Sequence, residues 1–152
     1  MRITDTDRRL LRLLQDDPAQ PVAALAERAG LTEPVCARRL ERLRAAGIVK
    51  GRSAVIDWRA LGWEIEVSLR LTLDKTNPRA FDEFITAART VPEVLEIQTF
   101  LGRVDVRLNI IARDLAHYQQ IYRERVLTLP HIADIEALMH IADIKQGEAL
   151  PL

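Results

Sequence analysis

The chain contains one cysteine, Cys36, in 152 residues. A lone thiol forms no internal disulfide and supplies no thiolate cage, so disulfide scaffolds and zinc fingers are excluded. No apolar run approaches the roughly 18 residues of a membrane-spanning helix. The opening Met1-Arg2-Ile3-Thr4-Asp5 has no apolar signal core, so the expected location is cytoplasmic, with no membrane partner. Aromatic residues are only 5% of the chain, and the strands lack the interior aromatics on which single-stranded RNA stacks. There is no GxGxxG, no Walker loop and no nucleophile beside a base at recognisable spacing, so no enzyme motif is present. His117, His131 and His140 show no ligand spacing with one another or with Cys36, which argues against a metal site. Neither a repeat of 20–50 residues nor a low-complexity tract occurs.

Charge of one sign is also lacking overall: Lys+Arg and Asp+Glu number 22 each, which argues against a globally basic nucleic-acid binder. The balance is not local. Residues 1–60 hold twelve Lys/Arg against eight Asp/Glu, an excess of four positive charges that the remainder must offset. A basic front on an acidic back suggests two tasks on one chain, with a polyanion meeting the front. Apolar residues are 48% and charged residues 29%, the composition of a folded globular protein.

In the front, Thr4 caps a helix with Asp7 at the capping-box position, and Leu10, Leu11 and Leu14 supply its apolar stripe. A second helix covers about residues 22–29, with Pro21 at its entry and Leu25, Ala26 and Ala29 on one face. Gly30-Leu31-Thr32 is a tight turn, and Thr32 is a natural N-cap for a third helix that ends before Gly47. Helix, three-residue glycine turn, helix is the helix-turn-helix spacing. On the third helix Cys36, Leu40 and Leu43 share a face that must pack inward. Pro34, Val35, Arg38, Glu41 and Arg42 face the other way, with Arg39 on the flank. The stretch after Gly47 is β-branched, consistent with a short strand or wing carrying Lys50 and Arg52 towards a linker near Leu61-Gly62.

From Trp63 the period becomes twofold, Ile65, Val67, Leu69, Leu71 and Leu73 alternating with polar residues in the clearest strand of the chain. A helix opens at Asn77-Pro78 with Phe81, Phe84, Ile85 and Ala88 inward. Strands at 94–101 and 104–112 follow, joined by a two-residue turn at Gly102-Arg103. Asp114 caps another helix, with Leu115, Tyr118, Tyr122 and Val126 inward, and a last strand spans roughly 132–144. The fold class is therefore α+β: an N-terminal winged helix-turn-helix followed by a ferredoxin-like βαββαβ domain. The expected boundaries are 1–50 for the helix-turn-helix, 51–62 for strand and linker, and 63–152 for the second domain. The second face of the sheet carries polar residues mixed with Phe100, Ile111 and Leu138, which implies a homodimer.

The opening Ile3-Thr4-Asp5-Thr6-Asp7-Arg8-Arg9-Leu10-Leu11, the run Gly30-Leu31-Thr32-Glu33-Pro34-Val35-Cys36-Ala37-Arg38-Arg39-Leu40 and the exit Gly47-Ile48-Val49-Lys50-Gly51 together resemble the Lrp/AsnC (feast/famine) transcriptional regulators over nearly the whole chain. The ending Ala149-Leu150-Pro151-Leu152 is similar to a frequent family ending. The resemblance implies a dimer, and in some members an octamer, binding double-stranded DNA. It places DNA contact on Thr32, Glu33, Val35, Arg38, Arg39, Arg42, Lys50 and Arg52. It also implies a small-molecule effector, an amino acid or related metabolite, near Thr99, Leu101, Gly102, Arg103, Val104 and Asp105, with no other cofactor. Here the chain departs from the family's Gly-Asp-x-Asp turn: Arg103 replaces an acid and Val104 an aromatic, so a ligand ammonium loses a partner and a carboxylate or phosphate gains one.

Blander readings stand beside these. The arginines of the third helix also fit a solvated face pairing with Glu41, Gly102 fits a simple hairpin glycine, and Cys36 fits a small core residue. An architectural DNA-organising protein without an effector shares the same reading head, and a ferredoxin-like enzyme is the more remote alternative.

Overall fold

The computed structural model describes residues 2–145 and 149–152. The chain divides into two compact units, Met1–Val55 with Ile144–Leu152, and Ile56–Asp143. The carboxyl-terminal segment, expected with the second domain, thus groups with the first.

The first unit is built on α1 (Asp5–Asp16), α2 (Val22–Ala29) and α3 (Glu33–Ala45). Thr4 and Asp7 form the expected capping box. The Asp7 amide donates to the Thr4 hydroxyl oxygen at 3.3 Å, and the Thr4 amide and hydroxyl donate to the Asp7 carboxylate at 2.9 and 2.7 Å. Gly30 ends α2 in the left-handed region, φ 68°, a conformation costly for residues with a Cβ, and the Leu31 amide closes the cap on Ala26 O. Leu10, Leu25, Ala26, Ala29, Cys36 and Leu40 form one buried cluster, which gives Cys36 the core position read from its helical face. The strand expected after Gly47 does not form, because the described part of this unit offers no strand edge to pair with. Residues 50–57 have no regular secondary structure.

The second unit contains β1 (Ile65–Leu73), α4 (Ala80–Ala88), β2 (Val94–Thr99), β3 (Val106–Ala112), α5 (Leu115–Ile121) and β4 (Ile132–Met139). The sheet is antiparallel throughout, in the order β2-β3-β1-β4, with Leu69 opposite both Leu108 and Ala137. This is the expected βαββαβ arrangement. Val67, Leu69, Leu71, Leu108 and Ile110 meet Phe84 and Ala88 of α4 and Ile121 of α5 in a single core, so both helices cover one face.

Four local expectations are corrected. Phe81 is 43% exposed, and Ala80, Phe84 and Ala88 form the buried stripe of α4. Leu115, the first residue of α5, is exposed, and α5 runs on into a π-turn, Tyr122–Val126, where the Leu127 amide donates to Tyr122 O. Residues five apart align across such a turn, which brings both Ile121 and Val126 inward. The strands flanking Gly102 stop at Thr99 and restart at Val106, so the two-residue turn is a loop of residues 100–105. Finally, β4 ends at Met139 and not near residue 144. The other sheet face carries the expected mixture of polar residues with Phe100, Ile111 and Leu138. Arg70 pairs with Glu136, Arg107 with Glu96, and Glu66 accepts from Asn109 and Arg59. Ile111 on this face is buried.

Replacing the fully buried Phe84 by alanine is expected to cost about 3–5 kcal/mol of stability in urea unfolding. Phe81→Ala should cost less than about 1 kcal/mol. Equal losses would place both rings in the core.

Candidate nucleic-acid interface and effector loop

The first turns of α3 carry most of the expected reading head. Thr32 occupies the N-cap position, yet its side chain makes no capping hydrogen bond. Its hydroxyl is therefore exposed and uncommitted. Glu33 and Pro34 are also exposed and Val35 is half-buried. Arg38 is exposed and forms no ion pair with any described residue. An exposed guanidinium, a hydroxyl at the helix start and a methyl-bearing side chain between them in sequence supply the donor, acceptor and apolar groups that distinguish base edges in a major groove.

Arg39 and Arg42 are held differently. Both reach back to α1, where Arg39 donates to Asp7 Oδ1 at 2.9 Å and Arg42 donates to Oδ1 and Oδ2 at 3.2 and 3.1 Å. The Asp7 side chain is wholly buried, while Arg39 and Arg42 are 28% and 50% exposed. Burial pushes the Asp7 carboxyl up, but hydrogen bonds from Thr4 and Arg39 outweigh it and hold the group at about 2. Glu41 pairs with Arg44 at 3.8 Å, so it does not neutralise Arg38. The role of Asp7 as a partner for two arginines was not read from the sequence. Its only signal was an acid in the capping box, which gives no sign of contact with residues more than thirty positions on. Lys50 and Arg52 follow α3 on the extended segment, exposed and without ion pairs to described residues.

The loop of residues 100–105 is closed by the Phe100 amide donating to Asp105 O at 2.9 Å. Asp105 continues the sheet where β3 has not yet begun. Its amide donates to Leu71 O and its carboxylate accepts the Leu73 amide at 2.9 Å, with Lys75 Nζ 3.4 Å away. The Arg103 carbonyl accepts from the Thr72 hydroxyl, and Gly102 has φ 156°, outside the range comfortable for an L side chain. These anchors push the loop tip outward: Leu101 is fully exposed, and Arg103 is exposed with no ionic partner among the described residues. Thr99 is exposed at the end of β2, and Val104 is half-buried.

A helix-turn-helix with a free guanidinium on its second helix, joined to a ferredoxin-like unit, defines the architecture of a DNA-binding transcriptional regulator with a separate ligand-binding domain. The comparisons agree. The winged helix-turn-helix DNA-binding family matches residues 3–50, and the Lrp/AsnC ligand binding domain family matches residues 66–150. The DNA-binding transcriptional activator DecR of Escherichia coli K12 is 30% identical over 146 residues, 96% of each chain. A proline dehydrogenase transcriptional activator of Rhodobacter capsulatus is 32% identical over 86% of this chain and 85% of that one. A transcriptional regulator from Neisseria meningitidis, solved with L-methionine, matches with a TM-score of 0.90 at 25% identity, over 99% of this chain and 97% of that one. The chain belongs to the Lrp/AsnC family of transcriptional regulators.

The Asp7 pairing makes stability sensitive to acid. A carboxyl held at about 2, below its ordinary 3.8, contributes stability that is complete above about pH 4 and is lost as pH falls through about 2. Asp7→Asn should therefore lower stability at neutral pH and flatten its pH dependence in that window. Asp7→Ala, which also strands two guanidiniums, should cost about 2–3 kcal/mol at pH 7 in urea melts.

Proposed function

We propose that this regulator binds DNA in the cytoplasm as a homodimer, with two copies of α3 in successive major grooves about 34 Å apart. Arg38 reads a base edge, with Thr32, Glu33 and Val35 contributing at the helix start. Lys50 and Arg52 hold phosphates. Arg39 and Arg42 serve the interface by fixing α3 on α1 through Asp7. The observation that carries this reading is that α3 exposes an Arg38 guanidinium without an ion pair to any described residue and, at its start, a Thr32 hydroxyl that makes no capping bond. Dimers assemble through the sheet of the second unit and can build to an octamer.

The loop containing Thr99, Leu101, Gly102, Arg103 and Val104 takes an amino acid or related metabolite, with Arg103 meeting its carboxylate. Asp105 acts by shaping this loop, because its carboxylate is already committed to the Leu73 amide. The L-methionine bound to the Neisseria regulator and the proline dehydrogenase activator among the relatives support an amino-acid effector and control of amino-acid genes.

Duplexes selected by the parent protein from a random pool test the assignment. Arg38→Ala should lower specific affinity by about ten- to a hundredfold and relax preference at one base position. Lys50→Ala should weaken all duplexes alike and reduce the salt slope by about one. Amino acids that shift the parent's DNA affinity should leave Arg103→Ala unchanged. Parent-like binding and selectivity in Arg38→Ala would overturn the reading head.

A further inference from the structure

Ala149, Leu150 and Leu152 form one wall of an open, largely apolar groove on the first unit. Its walls include Leu11 and Leu14 of α1, Val22 at the start of α2, and Ile48 and Val55 on the segment that follows α3. The polar contact to the tail comes from Gln15. Its side-chain oxygen accepts the Leu150 amide at 2.6 Å, and its side-chain nitrogen donates to the Leu150 carbonyl at 3.4 Å. A primary amide used in both directions on one residue's main chain holds a peptide as a neighbouring strand would, through groups that every residue has. A tight turn, with the Leu152 amide donating to Leu150 O at 2.9 Å, brings Leu152 back towards the groove, where it is half-buried. Leu150 remains 63% exposed, so it is held by its backbone and Leu152 supplies the apolar anchor.

The far wall of this groove includes Lys50, Gly51 and Arg52. That stretch has no secondary structure of its own to fix it. A tail clamped on Gln15 across the same groove narrows the space open to that stretch, and so removes freedom that DNA binding would otherwise have to remove.

We propose that residues 149–152 are a latch. They dock as a peptide into the groove between α1 and the segment after α3, Gln15 clamps their backbone, and the docked latch holds Lys50 and Arg52 ready for phosphate contact. Its consequence for DNA rests on the functional reading above, whereas the docking itself does not.

The test uses the full chain with Leu150→Asp and Leu152→Asp, which unseats the latch without touching a core residue, and a fluorescein-labelled peptide of residues 144–152 with the parental sequence. By polarisation the peptide should bind this variant and not the parent, whose Gln15 clamp is already taken by its own tail. Adding Gln15→Ala to the variant should weaken peptide binding by about tenfold. The variant should bind every duplex about three- to tenfold more weakly than the parent, with base preference unchanged, and added peptide should restore affinity. No peptide binding to the variant, or equal binding to variant and parent, overturns the latch. Peptide binding without recovery of DNA affinity overturns the link to the phosphate contacts. If the parent binds no DNA, the functional reading fails while the polarisation result still decides docking.

Discussion

The buried carboxylate of Asp7 is the constraint on which the reading head depends. A carboxylate removed from water must have its lone pairs occupied, and here the Thr4 amide and hydroxyl take one side while two guanidiniums from α3 take the rest. The same group that starts α1 therefore fixes where α3 lies against it. Hydrophobic packing of Leu10, Leu25, Cys36 and Leu40 brings these helices together but is tolerant of small rotations. Directional bonds to two arginines one turn apart are not tolerant. The ion pairs thus do for orientation what the apolar cluster cannot, and Arg38, on the far side of the helix, is aimed as a result.

A similar economy operates in the second unit. The central strand β1 outlasts its neighbour β3, and the Leu73 amide would be an orphan had Asp105 not supplied a side-chain oxygen where the ladder lacks a carbonyl. This bond and that from Thr72 to the Arg103 carbonyl pin the β3 side of a short loop to β1, while the Phe100 amide on Asp105 O closes its base, and Leu101 and the Arg103 side chain are left exposed. A loop anchored at its base and free at its tip suits an effector site, since ligand contacts at the tip can be transmitted to the central strand.

Much of this was legible in the sequence. The capping box at Thr4, the glycine turn at Gly30, the inward face of Cys36, Leu40 and Leu43, and the alternation from Ile65 to Leu73 each follow from local periodicity, and all are present. Other features were hidden because they depend on partners distant in sequence. A helical wheel shows that Arg39 and Arg42 leave the core face of their own helix, but not that another helix offers a buried acid to them. The spacing of Leu115, Tyr118, Tyr122 and Val126 assumed a regular helix, and a π-turn changes which residues meet the sheet. Glycine at 102 signalled a turn without revealing that Asp105 is drawn into β1, which lengthens the loop. The clamp on Leu150 depends on Gln15, a residue type with no distinctive spacing.

The zero net charge acquires a physical meaning once the ion pairs are known. Several cations of the basic front are neutralised where they stand: Arg28 by Asp16, Arg39 and Arg42 by Asp7, Arg44 by Glu41. Arg2, Arg8, Arg9, Arg12, Arg38, Lys50 and Arg52 have no ion pair with a described residue of that front. What a polyanion senses within a Debye length is this unpaired set, since cations already matched by acids contribute little to the local field. A chain can therefore be neutral overall and still attract DNA to one unit, while a low total charge keeps non-specific attachment weak. On the proposed reading, selectivity rests on the few groups that reach bases, so Arg38, outward-facing and unpaired among the described residues, matters more than the number of arginines on α3.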